Sequence, residues 1–242
     1  MNARNPGGYT SMGISLPDNV KDLPDLRDQV GIFRNRDHAG EILAGMLEVY
    51  SDSAAIVMAV PAGGVPVAKV LAELLGLPMD IVVVSKITLP WNTEVGYGAV
   101  AFDGSVRLNN DLVARLGLSD EEIQQGISKT SAKVAHRVKN LRSEQALPDL
   151  STSQIILVDD GLASGFTMHV AVEALQKAGT NSITVAVPTG HQRSVESIAG
   201  EVDTLYCANI RGGYHYAVAE AYERWSDVDE AELVSLLGGA LS

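Results

Sequence analysis

Thirteen consecutive residues, Ile155-Ile156-Leu157-Val158-Asp159-Asp160-Gly161-Leu162-Ala163-Ser164-Gly165-Phe166-Thr167, constrain the fold of this chain more than any other segment. Ile155 to Val158 show no polar alternation, which predicts a strand covered on both faces, as in a parallel sheet. Two carboxylates close that strand. A short turn containing glycine and hydroxyls follows and opens a helix expected over 168–178. The unpaired N–H groups and partial positive charge of a helix N-terminus accept an anion. Acids placed for a polyhydroxylated group and amides placed for a phosphate together imply a sugar phosphate as ligand. A plain helix cap would need only one or two such residues.

The flanking sequence alternates strands and helices. Residues 35–50 predict an amphipathic helix with Ala39, Ile42, Leu43, Met46, Leu47 and Tyr50 on one face. Residues 54–60 predict a strand that runs into the turn Pro61-Ala62-Gly63-Gly64, and 65–75 a helix. A strand over 80–85 is expected to end at Lys86. Residues 87–98, with Pro90, Trp91 and Asn92, lack periodicity and read as a loop. A hairpin over 99–108 is expected to turn at Asp103-Gly104. The capping box Ser119-Asp120-Glu121-Glu122 starts a long helix with Ile123, Ile127, Val134, Val138 and Leu141 inward. Strands over 182–187 (stopping at Pro188) and 204–208 are expected, with a helix over 193–199 and a docking helix over 229–237. This order predicts an α/β fold: a three-layer α/β/α arrangement around a mainly parallel sheet. Residues 31–242 form one domain with a C-terminal helical region at 214–242, and 1–30 form a loosely ordered extension. Ligands of such sheets bind where the strand order reverses, beyond the carboxyl ends of the strands.

Composition narrows the classes of partner. The net charge of −12 argues against nucleic acid, whose binding depends on basic surface. It does not exclude an anionic substrate. Global repulsion is screened beyond about 8 Å at physiological salt, whereas each charge-assisted hydrogen bond to a phosphate contributes roughly 1.5–3 kcal/mol. The acid excess favours a divalent cation at the site. No apolar run approaches the roughly 18 residues that span a bilayer, so no membrane partner is expected. Residues 1–24 lack the regions of a signal peptide. Cys207 is the single cysteine, which fits a reducing, cytoplasmic compartment. The five histidines show no metal-ligand spacing. No G-x-G-x-x-G follows a strand and no Gly-Lys-Ser/Thr follows a Gly-rich loop, so dinucleotide-binding and P-loop readings are disfavoured.

The long segment resembles the phosphoribosyl pyrophosphate signature of type I phosphoribosyltransferases. The resemblance implies that Asp159 and Asp160 hold the ribose hydroxyls. Backbone N–H groups within Gly161, Leu162, Ala163, Ser164, Gly165, Phe166 and Thr167, with the hydroxyls of Ser164 and Thr167, would hold the 5-phosphate. Ala62, Gly63 and Gly64 would belong to a pyrophosphate loop whose paired glycines give successive amides freedom to face one anion. The strands over 54–60 and 155–159 should be neighbours at the reversal, and a small hood should come from the chain ends. Over most of the chain from Phe33 the sequence is similar to a bacterial and archaeal group of predicted phosphoribosyltransferases. Its landmarks are Phe33-Arg34-Asn35-Arg36 with Ala39-Gly40, Pro61 to Gly64, Lys86, Pro90, Asn92, Glu94, Gly98-Ala99-Val100, and Ala217-Val218 with Tyr222 and Trp225.

Three positions depart from the pattern. Ser85 stands where the group carries arginine before Lys86, Phe166 replaces a small residue, and Ala163 removes the Asp that purine-salvage enzymes use on 6-oxopurines. Lys86 either neutralises pyrophosphate or is a solvated strand-end lysine. Glu94 either takes part in catalysis, as general base or metal ligand, or decorates the surface. Trp91 either closes over the site or packs locally, and Tyr222 and Trp225 either cover a base or fill the core. The implied reaction moves a 5-phosphoribosyl group from phosphoribosyl pyrophosphate to a nitrogen acceptor, a nucleobase, with Mg²⁺ held indirectly by Asp159 and Asp160 through ribose hydroxyls or water. The alternative is a non-catalytic regulator that binds phosphoribosyl pyrophosphate or a nucleotide. A homodimer is the assembly the resemblance implies.

Overall fold

A computed structural model of the chain describes residues 16–142, 148 and 150–238, apart from the side chains of Thr93 and Glu94. Six parallel strands form the central sheet: β1 (Val20–Asp22), β2 (Ile56–Ala59), β3 (Met79–Ile81), β7 (Gln154–Val158), β8 (Ser182–His191) and β9 (Thr204–Arg211). They lie side by side in the order β1-β9-β8-β7-β2-β3. From β2 the chain builds outward to β3, and from β7 it builds the other way through β8 to β9. The reversal therefore falls between β2 and β7, which pair in register from Ile56–Ile155 to Ala59–Val158.

Alternate side chains of these strands serve different layers. Val57, Ala59, Ile156 and Val158 pack with α1 (Arg36–Met46), α2 (Gly64–Leu75) and α7 (Glu230–Leu237). Ile56, Met58, Ile155 and Leu157 pack with α5 (Phe166–Lys177) and α6 (Gln192–Ala199). Both faces are covered, which is why Ile155 to Val158 read as an unbroken apolar run. The Asn35 side chain caps α1 by accepting from the His38 N–H at 3.0 Å, and the face predicted from Ala39 to Tyr50 points inward.

A second, antiparallel sheet of β4 (Val84–Leu89), β5 (Asn92–Ala101) and β6 (Val106–Leu108) corrects two expectations. The strand expected over 80–85 is two strands in different sheets. The segment 87–98, expected as a loop, is most of a β4–β5 hairpin turning at Pro90 and Trp91. In β4 an alternation exists, with Ile87 and Leu89 buried and Lys86 exposed, but register shifts around Thr88 obscure it, and β5 is buried on both faces from Tyr97 to Ala101. The expected turn at Asp103-Gly104 joins β5 to β6.

The helix α3 (Asn110–Leu116) was not foreseen; α4 (Asp120–Arg142) was, with its capping box formed. Arg142, at the end of α4, makes a buried two-bond ion pair with Asp80 of β3 at 2.5 and 2.9 Å, which ties this helix to the main sheet.

Two further boundaries differ from expectation. β8 continues through Pro188 to His191. In a parallel ladder successive residues bond to alternate neighbours, and β7 stops at Val158 opposite Ala186, so the missing proline donor faces no partner strand. Within the stretch 1–30, expected as an extension, Val20–Asp22 pairs with Leu205–Cys207 as the edge strand β1; residues 1–15 lie outside the described part. No described helix is long and apolar enough to cross a membrane.

Candidate active site

A cleft of about 1040 Å³ opens at the carboxyl ends of β2 and β7, at the reversal of strand order. It brings together Lys86, Asp159, Asp160, Gly161, Leu162, Ala163, Ser164, Gly165 and Thr167 from the predicted set. Ala62, Gly63 and Gly64 form the adjoining turn into α2, where Pro61, joined to Ala62 by a cis peptide, is the residue that lines the cleft. Phe166 turns instead toward His169, ring edge to ring at 6.5 Å, and does not line the cleft. Glu94 sits in β5, and its side chain lies outside the described residues.

The paired glycines have a reason other than unusual backbone angles. Gly63 has helical dihedrals, with φ −62°. A Cβ there would stand 1.9 Å from an Asp160 carboxylate oxygen, and one on Gly64 would stand 2.7 Å from the Val158 carbonyl. The turn after β2 is glycine because the acidic end of β7 occupies the space.

Asp160 is held by a partner that the sequence marks only as a landmark. Arg36, at the start of α1, donates to one Asp160 oxygen from Nε at 3.0 Å and Nη2 at 2.8 Å. Its Nη1 donates to the Ser226 carbonyl at 2.7 Å, and its guanidinium lies 3.9 Å from the centre of the Trp225 ring. The Tyr222 hydroxyl donates to the Asp160 carbonyl at 2.7 Å, while its ring packs on Phe33 and Trp225. Tyr222 is thus core and brace together, whereas Trp225 is 38% exposed and lines the cleft. Trp91 is exposed at the β4–β5 turn.

The two acids differ electrostatically. Burial raises the Asp159 carboxyl well above the usual carboxylate range and the charge of Asp160 adds to this, while Lys86 and Arg36 oppose it. Burial also raises Asp160, but Arg36 pulls it back directly. The Asp160 N–H donates to an Asp159 oxygen at 2.8 Å, which orients the first carboxylate.

The phosphate turn is pinned from behind. Ser194 of α6 donates to the Ala163 carbonyl at 2.5 Å. In a trans peptide the C=O and the next N–H point opposite ways, so fixing this carbonyl aims the Ser164 N–H away from α6. The Leu162 N–H donates to Thr189 and the Leu162 carbonyl accepts from His191, which stitches the start of the turn to β8. Gly165, at φ 75°, leads into α5, whose first amides have no preceding helical turn to bond.

Fold and site together place an acid pair and an amide-rich turn at the switch point of a parallel sheet, the arrangement the resemblance to type I phosphoribosyltransferases implies. The model of the phosphoribosyl transferase domain matches residues 102–214, which include the acid pair and the turn. The chain is 31% identical over 209 residues to "Putative phosphoribosyl transferase Rv0571c" of Mycobacterium tuberculosis (strain ATCC 25618 / H37Rv), covering 86% of this chain and 47% of that protein. The counterpart from strain CDC 1551 / Oshkosh gives the same figures. The chain therefore spans about half the length of the curated relatives it matches. Among solved structures, TT1426 from Thermus thermophilus superposes with a TM-score of 0.69 at 26% identity, over 87% of this chain and 99% of that one. In sequence and in fold the chain is thus similar to phosphoribosyl transferases.

Proposed function

We propose that this protein transfers a 5-phosphoribosyl group from phosphoribosyl pyrophosphate to a nitrogen acceptor, a nucleobase, with release of pyrophosphate. One observation carries the reading: the acid pair, the pinned amide turn at the head of α5 and Lys86 all line one cleft. In this reading the turn binds the 5-phosphate and Asp159 and Asp160 accept from the ribose hydroxyls. The bond from C1 to the pyrophosphate oxygen breaks, a bond from C1 to the acceptor nitrogen forms, and the nitrogen loses its proton. Positive charge develops on the ribose ring, and the two carboxyls stand where negative charge lowers that barrier. Lys86 and Arg36 favour their ionised forms.

The donor set suits Mg²⁺ held through substrate oxygens. Among the described residues no group of three or more His, Cys, Asp or Glu side chains forms a cage, and one Asp160 oxygen is already taken by Arg36. Asp159 would hold the ion through ribose hydroxyls or water, and the ion would supply leaving-group stabilisation. A homodimer in a reducing cytoplasm is the setting this reading takes.

The test is pyrophosphate release from phosphoribosyl pyrophosphate with Mg²⁺ and a panel of nucleobases. Release with at least one base is expected. Binding of phosphoribosyl pyrophosphate without release for any acceptor would convert the reading to that of a regulator, and no binding would end it.

A further inference from the structure

α4 contributes to the cleft a face that the apolar pattern of the sequence did not point to. Lys129, Lys133 and Arg137 recur every four residues, so they share one side of the helix, and all three line the cleft with Lys86. The row is about 12 Å long at 1.5 Å per residue.

These cations are short of counter-charge. Lys86, Lys129 and Lys133 make no ion pair or hydrogen bond among the described residues. Arg137 reaches Glu230 of α7 from Nη2 at 3.6 Å, while its buried Nε has no partner. Of the three acids in the same cleft, Asp159 faces Lys86, and the other two are engaged elsewhere. Glu122 accepts from the N–H and hydroxyl of Ser119, each at 2.9 Å, and Asp160 accepts from Arg36. In a chain of net charge −12, four cations gathered in one cleft, with Lys129 and Lys133 lacking an acidic partner among the described residues, mark an anion site.

The ligand class follows from placement. A 5-phosphate already has its own turn at Ala163–Thr167. A row of this length suits an extended anion with at least two phosphate groups better than a lone monophosphate. Ser85, which lines the same cleft, is buried with an unpartnered hydroxyl and supplies no charge. We propose that the α4 row and Lys86 form a second anion site that grips the pyrophosphate of the donor. The inference rests on the donor assignment of the preceding section.

Calorimetric titration of the full chain with inorganic pyrophosphate and, separately, ribose 5-phosphate tests it. Lys129 and Lys133 are exposed, so K129A/K133A keeps the fold, which its melting curve checks. Pyrophosphate affinity should fall at least tenfold while ribose 5-phosphate affinity stays within about twofold; K129R/K133R should restore the first. Unchanged pyrophosphate affinity in K129A/K133A overturns the proposal. So does undiminished pyrophosphate binding to chain saturated with phosphoribosyl pyrophosphate, because the site would then serve a separate ligand. If wild type fails to bind ribose 5-phosphate yet K129A/K133A weakens pyrophosphate, the anion site stands and the donor assignment falls.

Discussion

Replacing Arg36 by Met isolates the contact on which the acid pair depends. The guanidinium makes two bonds to one Asp160 oxygen at 2.8 and 3.0 Å, with the two side chains 10% and 15% exposed. Methionine keeps most of the side-chain stem but removes the guanidinium that lies over Trp225 and leaves Asp160 without that partner. Removing one member of a nearly buried pair costs about 3–5 kcal/mol. Residual exposure and protonation of Asp160 favour the lower end. At about 2–4 °C per kcal/mol for a domain of this size, the midpoint should fall by roughly 6–12 °C near neutral pH.

The pH dependence supplies the sharper test. Without Arg36, burial raises Asp160 further, so the folded state binds a proton that the unfolded chain releases near its ordinary value. Folded-state stability then declines as pH rises above about 4, by up to about 1.4 kcal/mol per pH unit until the raised value is passed. The deficit of Arg36→Met relative to wild type should therefore be small near pH 4 and grow toward pH 8 in urea titrations. Adding Asp160→Asn should remove most of it. A deficit that is flat with pH, or that survives in the double variant, would refute the charge argument and leave only packing against Trp225.

Related reasoning covers the neighbouring residues. Asp159→Asn removes a carboxyl that burial holds well above the carboxylate range; it should stabilise the chain at pH 7.5, have less effect near pH 4 and abolish pyrophosphate release, as chemical denaturation and the release assay would show. Gly63→Ala pushes a methyl into the Asp160 carboxylate, whereas Gly64→Ala meets the Val158 carbonyl and the Asp159 Cα at 2.7 and 2.9 Å. The first should weaken ribose 5-phosphate binding more than stability and the second should lower the melting temperature, a contrast that calorimetry and thermal melts resolve. Ser194→Ala frees the Ala163 carbonyl; about 1 kcal/mol of stability and several-fold in ribose 5-phosphate affinity should go together.

How much of this was legible depended on the distance over which each signal acts. The Ile155–Thr167 segment carries strand, acids, turn and helix head within thirteen residues, so local chemistry alone located it. The glycines at 63 and 64 were found for an incomplete reason: backbone freedom was visible in the sequence, but the carboxylate filling their missing Cβ positions comes from β7, about a hundred residues later. Arg36 is marked in the sequence only as part of a landmark, with no local chemistry to give it a role. Its partner lies 124 positions away, and only the pairing of β2 with β7 beneath α1 brings them together. The β4–β5 hairpin has no clean period-2 pattern, because β4 carries a register shift and β5 is buried on both faces from Tyr97 to Ala101. The α4 cations were readable in principle, since 129, 133 and 137 follow the helical repeat, but a search for the buried face discards polar positions by design. A solvated row and a ligand-facing row have the same spacing. What separates them is whether opposite charge stands nearby, and that is a property of the folded cleft, where Glu122 accepts from Ser119 and no acid pairs with Lys129 or Lys133 among the described residues.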